Sequence, residues 1–260
     1  MSDFDARSQR PPEAMGGLAK GLAIIEAFSV HKTMTVADAA RVSGTTRAAA
    51  RRCLLTLTEL GYVEQVLRNF RPLPRLRLLG GPATPSDQLA YLARPILERA
   101  RDDLQESVSL AVLDNGRSLF IGRAEAAHIL ATGVRVGAHL PLYCSATGRV
   151  LLSGLPNADI LRIVGPAPLE RRTARTIVKI PELLKEIRSV EANKYAISDE
   201  ELEIGLRSLA VPVRGRCGKI VAALSVSAAS PRIRVSELRK RFLPILAANA
   251  DLLSQRLAVL

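Results

Sequence analysis

The chain has 260 residues, 48% of them hydrophobic and 3% aromatic, with no tryptophan, and carries a formal charge of +12. That length suits two domains of unequal size, each able to bury a core, and a pI near 10.3 favours polyanionic partners such as nucleic acid or anionic lipid. Cys53, Cys144 and Cys217 are odd in number, far apart and without Cys-X-X-Cys spacing, which excludes a disulfide framework and a zinc cluster, and no apolar run of about 18 residues is present to cross a bilayer.

Met1-Ser2-Asp3-Phe4-Asp5 lacks the basic start and apolar stretch of an export signal, so a cytoplasmic protein outside the membrane is expected. Residues 1–80 carry twelve Lys/Arg against seven Asp/Glu, and residues 81–260 carry twenty-five against eighteen, so net charge does not by itself locate a nucleic-acid site.

Residues 1–15, with Pro11-Pro12 and mixed charge, read as a loose tail. Leu18, Leu22, Ile25 and Phe28 recur three or four apart and predict a first helix to about Ser29. Thr35, with Asp38 three residues on, is a capping box that opens a second helix through Val42, ended by Gly44. After the turn Ser43-Gly44-Thr45, a third helix runs from about Thr46 to Gly61 with Ala49, Ala50, Cys53, Leu54, Leu57 and Leu60 inward, the layout of a helix-turn-helix. Strand-like residues 62–67 and 71–78, joined by Arg68-Asn69-Phe70, form an expected wing, with Pro72 and Pro74 restricting its second half to an edge. Gly80-Gly81-Pro82-Ala83-Thr84-Pro85-Ser86 marks the domain break.

Residues 89–106 then read as a helix divided or kinked by Pro95. From Ser107 the period becomes alternating, and Asp114-Asn115-Gly116 between two apolar runs predicts a hairpin. A strand is expected over 129–136, short helices from Ser145 or Thr147 to Leu152 and over 156–164, and a longer one over 181–193. A second hairpin joins 208–213 to 219–228 around Gly215-Arg216-Cys217-Gly218, and a last helix interrupted by Pro244 covers 236–257. Hairpins with helices between them give an α+β domain, an antiparallel sheet flanked by helices. The expected division is a tail at 1–15, a winged helix-turn-helix at 16–80, a linker and connecting helix at 81–106, and a ligand domain at 107–260.

If the third helix enters the major groove, Thr45, Thr46, Arg47, Arg51 and Arg52 meet the bases and phosphates there, and Arg68, Asn69, Arg71 and Arg75 of the wing track the neighbouring backbone or minor groove. Arginine suits both tasks, since its planar fork pairs with guanine O6 and N7 or clamps a phosphate. Residues 47–77 hold seven arginines against Glu59 and Glu64, denser than the chain as a whole. The competing reading is a solvated basic face on an ordinary helical domain.

In the last hairpin, Val221, Ala223, Ser225 and Ser227 alternate onto one side of a strand, so two hydroxyls share a face of small residues, a reasonable carboxylate cradle. The alternative is that both serines bond to neighbouring backbone. Arg135 and Arg207 are candidate charges for an anion, or equally structural ion-pair residues, and Leu113, Leu130 and Leu142 are candidates for an apolar wall or for plain core.

Other classes have thinner support. Cys144 near His139 invites an enzyme reading, but no third orienting group is evident. His31 and His128 are isolated. Asp199, Glu200, Glu201 and Glu203 read as a solvated face without metal-ligand spacing, and neither a P-loop nor a GxGxxG fingerprint occurs, so no cofactor or metal is expected. A nucleic-acid-binding protein lacking a ligand is the other alternative.

Longer segments resemble one family. Leu18-Ala19-Lys20-Gly21-Leu22, Thr46-Arg47-Ala48-Ala49-Ala50-Arg51-Arg52 and Leu60-Gly61-Tyr62-Val63 are similar to the first helix, recognition helix and wing start of the IclR family of bacterial transcription regulators. Residues 140–149, Leu-Pro-Leu-Tyr-Cys-Ser-Ala-Thr-Gly-Arg, and 199–213, beginning Asp199-Glu200-Glu201 and ending Val211-Pro212-Val213, resemble the family's two most recognisable later segments. The recognition helix and the Glu-Leu-Glu-Ile-Gly-Leu-Arg-Ser-Leu-Ala-Val-Pro-Val run look closest to the subgroup controlling aromatic-acid catabolism through the β-ketoadipate pathway. The resemblance implies a GAF-like effector domain, a homodimer or dimer of dimers on a palindromic operator in double-stranded DNA, and a response to protocatechuate, p-hydroxybenzoate, β-ketoadipate or a related acid. It further implies effector contacts at the backbone N–H groups of Ala146 and Thr147 and the side chains of Ser208, Ser225 and Ser227, with Ser198 where the family often has aspartate. The Gly-Pro-rich residues 80–86 depart from the family's more continuous linker helix.

Overall fold

The structure is a computed structural model and describes residues 15–28, 31–80, 85–126, 134–166 and 168–259. The chain divides into two compact units, Met1–Pro82 and Ala83–Leu260.

In the first unit α1 (Gly16–Ala27) and a two-residue strand β1 (Met34–Thr35) precede α2 (Val36–Val42) and α3 (Arg47–Glu59). The capping box forms as the spacing requires: the Asp38 N–H donates to the Thr35 hydroxyl at 3.2 Å, and the Thr35 N–H donates to the Asp38 carboxylate at 3.1 Å. These bonds, the Thr35 hydroxyl's first, hold the Asp38 carboxyl below its ordinary value. Gly44 closes α2 at φ 56°, a left-handed backbone that costs glycine nothing. Across that turn the Ser43 hydroxyl donates to Ala39 O at 2.6 Å and lies 2.9 Å from the Thr45 hydroxyl, which fixes the angle at which α3 leaves. Ile24, Phe28, Met34, Ala39, Ala50, Leu54, Leu57, Val63 and Phe70 make the core. Ala49 and Cys53 are only half-buried, and Leu60 is exposed, because α3 ends at Glu59 and the chain turns away there.

The wing is tighter than the sequence suggests. Strand β2 (Val63–Val66) pairs antiparallel with β3 (Asn69–Pro72), with Val66 opposite Asn69, so Leu67 and Arg68 alone make the turn and Asn69 and Phe70 belong to the strand. The strand expected to reach residue 78 stops at Pro72, and a 3₁₀ helix covers Pro74–Gly80. Two prolines without N–H groups cannot continue a ladder. β3 also pairs with β1, Met34 opposite Phe70, a contact too short to leave a period in the sequence.

The second unit opens with α4 (Pro85–Leu104), which runs unbroken through Pro95. Its sheet comprises β4 (Ser107–Asp114), β5 (Arg117–Ala124), β6 (His139–Leu140), β7 (Ala196–Asp199), β8 (Leu206–Arg214) and β9 (Ile220–Ala229), antiparallel in the order β6-β5-β4-β9-β8-β7. At the Asn-Gly hairpin Asp114 faces Arg117, with Asn115 at φ 45° and Gly116 at φ 74°, the pair of left-handed residues that a two-residue turn with the sheet's own twist demands. Helices α5 (Ala146–Leu152), α6 (Asn157–Val164) and α7 (Ile180–Asn193) follow the first hairpin. The chain ends in α8 (Val235–Glu237), a π turn over Leu238–Phe242 and α9 (Leu243–Val259). The π turn lies just before Pro244, which has no N–H to bond one turn back.

Both faces of the sheet are covered. Val108, Leu110, Val112, Leu224 and Val226 pack with Leu97, Leu104, Phe242 and Leu246 of α4 and the C-terminal helices. On the other face the small side chains of Ala196, Ala210 and Ala223 let α5 and α7 settle closely, with Val150, Leu152, Leu183 and Ile187 between them. Of the strand expected over 129–136, residues 129–133 lie outside the described residues and Val134 to Val136 are not in a strand; β7 was not anticipated. Among the described residues no helix is long and apolar enough to cross a membrane.

Candidate DNA-reading face and effector site

Arg47 and Arg51, one turn apart on the exposed side of α3, line a groove of about 400 Å³ together with Thr35, Leu55, Gln65 and Arg68 of the wing turn. Recognition-helix and wing arginines thus converge on one concavity. The Thr46 hydroxyl is spent on capping α3, accepting from the Ala49 N–H at 3.2 Å, and Thr45 is tied to Ser43, so these two shape the helix N-terminus. Arg52 points elsewhere, lining a mainly apolar groove with Leu18, Lys20, Leu22 and Ile25 of α1. Arg71 is ion-paired with Glu64 across the wing, and the Arg75 guanidinium stacks 5.1 Å over the Tyr62 ring. Exposed Asn69 sits in β3 beside the turn.

In the second unit, strand register builds a hydroxyl surface larger than the two serines of β9. Ser198, Ser208, Ser227 and Ser107 stand opposite one another across β7, β8, β9 and β4, and in the next row Ser225 stands between Ala210 and Ser109. Alternation puts all of them on the α5 side, because Val108, Leu110, Leu224 and Val226 point to α4 and α9. The first turn of α5 lies over this surface. Ser198 donates to Cys144 O at 2.9 Å, and the Ser118 hydroxyl of β5 donates to the Thr147 hydroxyl at 2.9 Å. The Ser145 hydroxyl caps the Gly148 N–H at 3.2 Å, which leaves the N–H groups of Ala146 and Thr147 without a carbonyl inside the helix. Ser225 donates to Ser109 O at 3.4 Å, a long bond that yields readily to a better acceptor.

A buried ion pair fixes the helix in place. Arg149, 1% exposed, meets Glu201 through both terminal nitrogens, one at 2.7 Å, and its Nε donates to Tyr143 O at 3.0 Å. Thr176 donates to Glu201 O at 2.7 Å and Thr173 to Glu200 O at 2.7 Å, so the segment before α7 straps the same turn, and the Tyr143 hydroxyl donates to Glu170 O at 2.8 Å. Burial pushes the Tyr143 hydroxyl up to about 12.

Several expectations change here. Three of the four carboxylates are not a solvated face: Asp199 pairs with Arg207 and Arg175, the Glu200 carboxyl is held below its ordinary value first by the Ser230 hydroxyl and then by the Gly205 N–H, and Glu201 is the partner of Arg149, while Glu203 is exposed. Arg207 is therefore not an anion site, since it also donates to Ser230 O and Ile233 O. Arg135 is exposed in a cleft between α4 and the edge of β5. Leu113 faces a groove with Leu89, Val221 and Leu257, four residues or roughly 13 Å along the strand from Ser109. Leu142 is core, packed with α5. Leu130 lies outside the described residues. The apolar cluster beside the hydroxyl surface is instead Ala111, Phe120 and Val134 with Leu140. The enzyme reading fails at Cys144, whose thiol is fully buried and pushed by that burial up to about 11, while His139 turns to Asp114 at 3.0 Å.

A winged helix-turn-helix with a converging arginine groove, joined in one chain to a separate α+β domain with a hydroxyl-lined face, defines a DNA-binding regulator with an effector domain. Residues 17–67 match the IclR helix-turn-helix domain and residues 83–255 match the C-terminal domain of the bacterial transcriptional regulator IclR. The chain belongs to the IclR family of bacterial transcription regulators, and it is not an enzyme. The Pca regulon regulatory protein of Pseudomonas putida is 40% identical over 247 residues, 94% of this chain and 85% of that protein. A transcriptional regulator from Rhodococcus sp. RHA1 superposes with a TM-score of 0.80 at 37% identity, covering 95% of this chain and 99% of that one. An IclR homologue from Microbacterium hydrocarbonoxydans, solved with 4-hydroxybenzoate, superposes with a TM-score of 0.78 at 24% identity, covering 94% and 100%.

Proposed function

We propose that this regulator controls a catabolic operon in response to a small aromatic or dicarboxylic acid, held against the serines of β7, β8, β9 and β4 beneath the first turn of α5. The carrying observation is the pair of cross-strand rows: Ser198, Ser208, Ser227 and Ser107 in one, Ser225 and Ser109 in the next, facing the N–H groups of Ala146 and Thr147. A carboxylate or phenol placed against these rows meets several donors at once. The 4-hydroxybenzoate held by the Microbacterium homologue supports that ligand class.

Operator DNA is read by Arg47 and Arg51 with Arg68 and Asn69 of the wing, from a helix N-terminus that Thr45 and Thr46 shape, while Arg52, Arg71 and Arg75 act on phosphates or on the wing itself. The reader spans residues 16–80, the connecting segment 81–106 and the effector domain 107–260. The regulator acts in the cytoplasm as a homodimer or dimer of dimers on a palindromic site, an arrangement in which two half-sites one turn apart each receive one recognition helix.

The test is fluorescence anisotropy on the promoter fragment of the adjoining genes, titrated with p-hydroxybenzoate, protocatechuate and β-ketoadipate. One of these should shift DNA affinity by about 5- to 150-fold, the usual range of allosteric coupling. Ser225→Ala combined with Ser227→Ala should flatten that dose response and leave DNA binding without ligand unchanged. An unaltered dose response in the double variant removes the serine surface as the effector site.

A further inference from the structure

We propose that a basic cavity beside the β8–β9 hairpin is a second ligand site, which takes a phosphate group, free or carried on a small organic molecule. This goes beyond the effector reading and does not rest on it. The cavity, of about 440 Å³, lies where the hairpin meets the C-terminal end of α7, and Arg188, Lys194, Arg214 and Lys219 line it with Glu191. Glu191 is already committed, since it accepts from Arg188 Nη1 at 2.6 Å. Lys194 and Arg214 donate to backbone oxygens, of Glu191 at 2.6 Å and of Gly218 at 2.7 Å, and neither they nor Lys219 has a carboxylate partner among the described residues. Three uncompensated cations from two elements therefore line one concavity. Local structure brings them together. A β-bulge at Val213/Arg214 shifts the register so that Arg214 stands opposite Ile220, on the side of the sheet where Ile220 packs with α5 and α7. Lys194 holds the C-cap of α7 at φ 64°, a left-handed backbone that favours glycine, so a cation is kept at the cavity against its backbone preference.

The charge count selects the ligand. Like charges lining one cleft focus a field that draws in an anion, and they repel one another until one arrives. A monocarboxylate carries one negative charge and two oxygens, too few for three separate cations. A phosphate carries nearly two charges at neutral pH and three strong acceptor oxygens, so it can meet the guanidinium fork of Arg214 and the ammonium groups of Lys194 and Lys219 together. At about 30 Å³ for each water-sized group, the cavity has room for roughly fifteen non-hydrogen atoms, so a small phosphate ester fits as well as the free ion. Such a ligand would tie the β8–β9 hairpin to the end of α7.

Cys217, an exposed thiol in the wall of the same cavity, reports its occupancy. The full-length protein is alkylated with neutral iodoacetamide, and Cys217 and half-buried Cys53 of α3 are followed separately by peptide mass spectrometry. Inorganic phosphate, glycerol 3-phosphate, glycerol or a duplex DNA fragment is added, with ionic strength held constant by sodium chloride. Both phosphates should slow alkylation of Cys217 saturably and leave Cys53 unchanged, and glycerol should do nothing. Stronger protection by glycerol 3-phosphate supports the site and identifies an ester as its ligand, whereas equal protection supports it with free phosphate. Lys219→Gln, an exposed change that does not threaten folding, should raise the phosphate concentration needed for half-protection by about tenfold, the scale of a hydrogen bond to a charged group. A Cys217 that neither phosphate protects, equal slowing of Cys53, or protection that Lys219→Gln leaves unchanged overturns the proposal. Protection by the DNA fragment in place of the phosphates overturns it too, since the cations would then serve the DNA backbone.

Discussion

Glu201→Ala is expected to destabilise the effector domain by about 3 to 5 kcal/mol, because it leaves Arg149 buried at 1% exposure without its counter-charge. The penalty comes less from the lost attraction than from a guanidinium that can neither reach water nor lose its proton. Against a total domain stability of about 5 to 15 kcal/mol, such a loss lowers the melting temperature by roughly 10 °C or more. Replacing both partners, Arg149→Met with Glu201→Leu, should recover most of the loss, since no charge then remains to be desolvated. Differential scanning calorimetry on the two variants checks both statements. A single variant that melts with the wild type would mean that Arg149 finds another partner. The effector response discriminates further: the double variant should fold and still respond weakly, since Arg149 also ties Tyr143 O to the helix that carries Ala146 and Thr147.

Gly148→Ala is expected to be as damaging for a different reason. A Cβ at that position would lie 2.3 Å from both Cα and O of Leu142 and 2.7 Å from its carbonyl carbon, all backbone atoms that cannot rotate away. Either α5 lifts from the loop before it or that loop moves, and each breaks the Ser145 cap and the Ser198 bond to Cys144 O. Overpacking costs about 1 to 3 kcal/mol where side chains can adjust, so a backbone collision of this depth should exceed that range. Loss of soluble protein, or a melting temperature lowered by about 10 °C with effector binding abolished, is the expected result. Gly154→Ala is the control: its Cβ would meet only Ile220 side-chain atoms at 3.3 to 3.4 Å, and a small shift of that side chain relieves it.

The elements legible in the sequence are those governed by local rules. The capping box at Thr35 and Asp38, the Gly44 turn, the Asn115-Gly116 hairpin and the alternation in β9 each involve residues within a few positions of one another, and each forms as read. What the sequence hides is set by long-range pairing. Four serines become a row only through the register of four strands; Ser198 and Ser208 are reached through the resemblance alone, and Ser107 gives no signal. Glu201 is indistinguishable from its acidic neighbours until Arg149 is placed beside it, although an arginine inside Ala146-Thr147-Gly148-Arg149-Val150-Leu151-Leu152 was a trace of a buried charge. Leu113 was misplaced because alternation assigns a side of the sheet and not a position along it.

The central claim is that α3 presents Arg47 and Arg51 to DNA independently of the effector domain. Anisotropy titration of the promoter fragment with Arg51→Ala, at several salt concentrations and alongside p-hydroxybenzoate binding to the same protein, tests it most directly. The account predicts steep salt dependence for the wild type, DNA affinity reduced by about tenfold or more in the variant, and unchanged effector affinity. DNA binding that survives the substitution at full strength would contradict it.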